Sequence, residues 1–138
     1  MSKTILKGSC LCGAVTYEVS GEAKRFYHCH CSRCRKATGT GHASNLFLQP
    51  GALRWLSGEE QIRAFKVPEA KRFTNQFCAI CGGRLPRQPK DTDVVVIPAG
   101  SLDDEPPIMP QARIFADSCT SWSCAGDGLP VFNESPPQ

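Results

Sequence analysis

Short alternations of apolar and polar residues mark most of the chain. Val15, Tyr17 and Val19 alternate with Thr16 and Glu18, the period of a strand with one buried face. Leu46 to Leu48 and Leu53 to Leu56 predict two further strands around a Pro50-Gly51 turn. Ser57-Gly58-Glu59 is another break, before an apolar stretch from Ile62 to Val67. Phe73, Asn75 and Phe77 alternate with Arg72, Thr74 and Gln76, which predicts a strand running directly into Cys78. Val94 to Ile97 forms a short strand between Asp91-Thr92-Asp93 and Pro98. Eleven prolines and twelve glycines punctuate the sequence, cutting it into segments of roughly five to eight residues, as in an all-β assembly. Helix is expected only briefly, around Arg33 to Ala37 and in the final third. Asp103 to Pro110 is acidic and proline-rich and is expected to be a loop. Residues 1–125 then form one domain, and 126–138 a surface tail.

Composition narrows the class. The chain has 138 residues, enough for one core but small enough to profit from metal staples. Sixteen basic against thirteen acidic residues leave a net charge of +3. That suits an anionic small molecule and is too weak to argue for a nucleic-acid surface, the more so with few aromatics. The longest clean aliphatic run, Val94 to Ile97, is far too short to span a bilayer, so no membrane partner is expected. The opening Met1-Ser2-Lys3-Thr4-Ile5-Leu6-Lys7 lacks the apolar stretch of a signal peptide. Nine cysteines without a secretion signal point to a reducing compartment, the cytoplasm by default, and the odd count argues against a complete disulfide framework.

The cysteines fall into groups. Cys10 and Cys12 form C-x-C; Cys29, Cys31 and Cys34 form C-x-C-x-x-C; Cys78 and Cys81 form C-x-x-C followed by Gly82-Gly83. Such spacings let sulfurs converge on one ion while turn amides point at the thiolates. Spacing does not fix which groups share an ion. Pairing the first group with the third yields four thiolates, the closed arrangement of structural zinc. The middle group then stands with three thiolates and an open position, the pattern of a reactive site. Alternatively His28, His30, His42, Cys119 or Cys124 closes that tetrahedron. In an extended segment His28 and His30 point away from Cys29 and Cys31.

Three thiolates around a dication carry a net charge of −1, which makes a poor activator of water but a good host for a soft ligand such as another thiolate. The chemistry to expect is capture of a thiol and its addition to, or release from, a small electrophile. Arg33, Arg35 and Lys36 lie beside Cys34 and are candidates to bind the carboxylates of a charged thiol such as glutathione; as three adjacent basic residues they are equally a solvated face.

Three stretches carry a family resemblance: Gly8-Ser9-Cys10-Leu11-Cys12-Gly13-Ala14-Val15-Thr16-Tyr17, Cys29-His30-Cys31-Ser32-Arg33-Cys34-Arg35-Lys36-Ala37-Thr38-Gly39, and Phe77-Cys78-Ala79-Ile80-Cys81-Gly82-Gly83. In order and spacing they resemble the glutathione-dependent formaldehyde-activating enzyme family, which includes centromere protein V-like proteins. The resemblance covers about residues 5 to 102 and extends more weakly to Leu129-Pro130. It implies a mainly β fold of the β-tent type, small antiparallel sheets stapled by a structural zinc with little helix. It implies two zinc ions, one on Cys10, Cys12, Cys78 and Cys81 and a second on Cys29, Cys31 and Cys34. It also implies a carbon–sulfur lyase that forms S-hydroxymethylglutathione from formaldehyde and glutathione, or handles a related aldehyde. Two departures stand out. Arg113-Ile114-Phe115 replaces a common His-Ile-Trp, and Ser118-Cys119-Thr120-Ser121-Trp122 replaces Ser-Lys-Ala-Pro-Trp. The competing readings are a thiol or aldehyde carrier without catalysis, and a zinc-stabilised module contacting protein or nucleic acid.

Overall fold

A computed structural model describes residues 3–123 and 128–137. Among these residues, seven strands and one α-helix follow in order: β1 (Thr4–Ser9), β2 (Thr16–Cys29), α1 (Ser32–Thr38), β3 (Ala43–Ser57), β4 (Ile62–Lys66), β5 (Thr74–Cys78), β6 (Val95–Pro98) and β7 (Ala112–Ile114). β1, β2, β3 and β6 make an antiparallel sheet in that order, and β7 joins it as a short strand parallel to the end of β2. β4 and β5 form a separate antiparallel pair. The fold is therefore mainly β with small sheets, as the alternation predicts.

The expected Pro50-Gly51 turn is instead the middle of one strand. β2 and β3 pair from Thr16 opposite Ser57 to Cys29 opposite Ala43, with register shifts around Gly21, Ala23 and Arg25. Pro50 has no N–H to give a ladder, and it falls where this bulge has already opened the pairing. Gly21 lies opposite at φ 143, and any side chain there would run into the Pro50 carbonyl, so the crossing needs a glycine. The apolar runs flanking Pro50 are thus the two halves of a single bent strand.

β1 and β7 carry too little alternation to be read locally; they form because β2 offers them an edge. Among the described residues of the final third, helix is limited to single 3-10 turns at Ala99–Ser101 and Ala116–Ser118. The core packs Leu6, Val15, Tyr17, Val19, Leu46, Leu48, Leu85, Val95 and Ile97 together with Cys10 and Cys78. A smaller cluster gathers Cys29, Cys34 and Ala43, with Cys31, Phe73 and Ile114 against them. Two cysteine sets therefore belong to two different packed groups. No helix among the described residues is long and apolar enough to cross a membrane.

Candidate metal centres and their cleft

β1 delivers Cys10 and Cys12, and β5 ends on Cys78 with Cys81 just beyond. The four sulfurs lie within 4.8 Å of one another, at 3.7 Å between Cys10 and Cys12 and 3.9 Å between Cys12 and Cys78. A tetrahedral ion with metal–sulfur bonds of about 2.3 Å sets its sulfurs about 3.8 Å apart, which the two closest spacings match, so the set is consistent with zinc. Two matching knuckles build it. Gly13 (φ 81) donates to the Cys10 carbonyl, and Gly82 (φ 76) to the Cys78 carbonyl; both need the left-handed region open to glycine. Amides then aim at sulfur: Val15 N at Cys10, Ile80 N at Cys78 and Gly83 N at Cys81, at 3.3–3.4 Å. The Gly83 N–H, with that of Cys12, holds the Cys81 thiol down at about 6.

The second set sits where β2 runs into α1. Cys29 closes the strand, Cys31 caps the helix by accepting from Cys34 N at 3.3 Å, and Cys34 lies buried in its first turn. The three sulfurs also lie within 4.8 Å, and no further cysteine, histidine or acidic group among the described residues joins them. Burial pushes the Cys34 thiol well up, and its neighbours Cys29 and Cys31 push it further. Three crowded sulfurs cannot all ionise without a cation among them, so this donor set also fits a soft dication.

The alternative donors go elsewhere. Cys29 pairs with Ala43 and Ile114, whereas His28 pairs with Ser44 and Arg113, on the opposite face of the sheet. There the His28 and His42 rings lie 4.2 Å apart and the His30 and His42 rings 5.1 Å apart, both pairs tilted. Ser44 Oγ lies 3.0 Å from His28 Nδ1, and Arg113 donates to His30 Nε2 at 3.0 Å. Cys119 is held in a disulfide and offers no thiolate; Cys124 lies outside the described residues. Burial lowers the His42 pKa, and the His28, His30 and Arg113 charges lower it further. The unfolded chain then takes up a proton near pH 6.5 that folded His42 refuses, so stability falls as pH drops below about 6.5. The thermal midpoint is expected to fall between about pH 7 and 5.5, and His42→Asn to flatten that fall; an equal slope in the variant would assign the loss to other groups.

A cleft of about 520 Å³ opens over the three sulfurs. Phe47, Phe73, Val96, Ile114 and Phe115 line it with apolar surface, and Arg33, Arg84 and Arg87 with charge; no acidic residue among the described ones lines it. A second recess of about 560 Å³ shares Ser32, Arg33 and Phe73 with the first and continues past Lys36, Phe65 and Glu69. Of the basic residues singled out beside Cys34, Arg33 thus lines both spaces, Lys36 lines the outer one, and Arg35 lines neither. Arg84 and Arg87 were not legible as site residues. Their one local signal is position: they follow a rigid knuckle at Gly82-Gly83, and Leu85 between them is anchored in the core.

A family model described as glutathione-dependent formaldehyde-activating enzyme matches residues 5–118. A protein of Halomonas elongata, named as a candidate glutathione-dependent formaldehyde-activating enzyme, is 35% identical over 130 residues, 86% of this chain and 79% of that protein. A crystal structure of a Rhodobacter sphaeroides protein is similar over 74% of this chain and 92% of its own, at 24% identity and a TM-score of 0.48.

Proposed function

The chain belongs to the glutathione-dependent formaldehyde-activating enzyme family, and from that premise we propose that it is a zinc-dependent carbon–sulfur lyase joining glutathione to formaldehyde or a related small aldehyde. The observation that carries this reading is the three-sulfur cluster, joined by no fourth protein donor among the described residues, in a cleft lined by three arginines. Cys29, Cys31 and Cys34 would hold the reactive zinc, and Cys10, Cys12, Cys78 and Cys81 a structural one. When bound, the reactive ion supplies positive charge that favours loss of a thiol's proton and attracts the resulting sulfur.

The protein's own residues supply the rest. Arg33 and Lys36 stand at the outer recess, where they meet a charged peptide thiol. Phe47, Phe73 and Ile114 exclude water around the reacting sulfur and carbon. In the reaction the glutathione sulfur forms a bond to the aldehyde carbon. The carbonyl π pair moves to oxygen, which takes the proton that the thiol gave up, and S-hydroxymethylglutathione results. The adduct also forms unaided in water, so the contribution asked of the protein is ionisation and orientation.

Exchange spectroscopy on a formaldehyde–glutathione mixture tests this. Zinc-loaded protein at catalytic concentration is expected to speed exchange between free and hydroxymethylated glutathione. Stoichiometric binding with unchanged exchange, across several aldehydes, would make the protein a carrier and end the catalytic reading.

A further inference from the structure

Arg84 and Arg87 present a charge imbalance that the fold does not resolve. Arg84 Nε donates to Asn75 Oδ1 at 2.8 Å, but its Nη1 is buried with no hydrogen-bond partner among the described residues. Burial lowers the pKa of both guanidiniums, and Arg87 is further opposed by the charges of Arg84 and Arg72. The ion pairs among the described residues, Lys24 with Glu22 and Arg54 with Glu18, lie elsewhere. A desolvated guanidinium without a counter-ion is costly and is expected to be repaid by an anionic ligand. The Cys34 sulfur offers Arg84 some electrostatic relief, but no hydrogen bond joins them, and Arg87 receives none of it.

We infer that Arg84 and Arg87 form the inner anchor of the thiol site and take the C-terminal glycyl carboxylate of glutathione. This rests on the functional reading above and adds the substrate's orientation. Glutathione has two carboxylates, and only the glycyl one lacks a neighbouring ammonium. The inner cleft holds arginines and no acid among the described residues, so an ammonium there would be repelled. The outer recess mixes Arg33 and Lys36 with Glu69, a set matched to the zwitterionic γ-glutamyl end. The two ends also differ in length: the glycyl carboxylate is one residue from the thiol, about 3.3–3.6 Å of extended chain per residue, while the γ-linkage carries the other carboxylate farther away. A carboxylate beside the two guanidiniums would accept the charge-assisted hydrogen bonds that no acidic side chain among the described residues provides.

Titration calorimetry on zinc-loaded protein with glutathione and with its glycyl ethyl ester reads the contact directly. Wild type is expected to bind the acid about 10- to 100-fold tighter than the ester. Arg84→Gln and Arg87→Gln, each verified to carry the same metal content as wild type, are expected to bring the two within about twofold, mainly by weakening the acid. If Arg84 serves only to offset the thiolates, Arg84→Gln lowers zinc affinity and weakens acid and ester alike, which overturns the inference. Equal affinity of wild type for acid and ester also overturns it while leaving the catalytic reading standing. No glutathione binding to wild type at millimolar concentration overturns both.

Discussion

Cys78→Ser is expected to leave a chain that does not hold its fold. Cys78 is fully buried among the apolar residues of the main core. Its sulfur belongs to the four-sulfur set that joins the end of β1, in the large sheet, to the end of β5, in the small one. Cys12 and Cys78 are separated by 66 positions, so an ion held there would close a long loop. Structural zinc sites contribute about 10–16 kcal/mol of apparent binding free energy at neutral pH, as much as the whole stability of a typical small domain. Losing one thiolate also leaves a buried hydroxyl beside three sulfurs that repel one another. Circular dichroism and limited proteolysis on Cys78→Ser, and on wild type after exhaustive chelation, are expected to show loss of the sheet in both. A folded Cys78→Ser protein that keeps wild-type metal content and thermal midpoint would show that the core alone suffices.

Cys31→Ser is expected to do the opposite, sparing the fold while removing activity. A metal held by its cluster would cross-link only residues 29 to 34, within one strand–helix junction. The chain entropy saved by such a short closure is about 2 kcal/mol less than for the 66-position span. The variant should therefore remain folded, with one zinc per chain against two in wild type. Its catalytic loss should be large. A free thiol with pKa near 8.5 is about 3% thiolate at pH 7, so ionisation alone is worth roughly thirtyfold. Loss of a fixed sulfur position adds to that, for a fall of about 100-fold or more in exchange rate. A folded, one-zinc Cys31→Ser protein with wild-type exchange rates would place the chemistry elsewhere.

Much of this was readable from local pattern. The C-x-C, C-x-C-x-x-C and C-x-x-C spacings name the seven sulfurs that converge, and the strand into Cys78 follows from alternation between Arg72 and Phe77. The opposite orientation of His28 and His30 follows from the same two-residue period, because Cys29 alternates with them along one extended segment. These properties depend on residues a few positions apart, whose relative placement is set by backbone geometry alone.

Tertiary structure decided the rest. Pro50-Gly51 reads locally as a turn, and it lies inside β3 because the Gly21 bulge in β2 accepts it. Among the basic residues, adjacency to Cys34 favours Arg33, Arg35 and Lys36 equally, yet α1 turns Arg35 away from both recesses. Arg84 and Arg87 lie some fifty positions from the cysteines they face, a relation with no local trace. The Cys78–Cys81 knuckle sets the direction of the chain leaving Gly83, and pairing of Arg87 with Val96 on β6 carries that segment along the cleft. Which side chains can bind metal follows from local spacing, because chelation is a short-range matter. Where the charges around the reactive site stand was decided only when distant strands paired, because that depends on register between segments whose separation in sequence carries no geometric information.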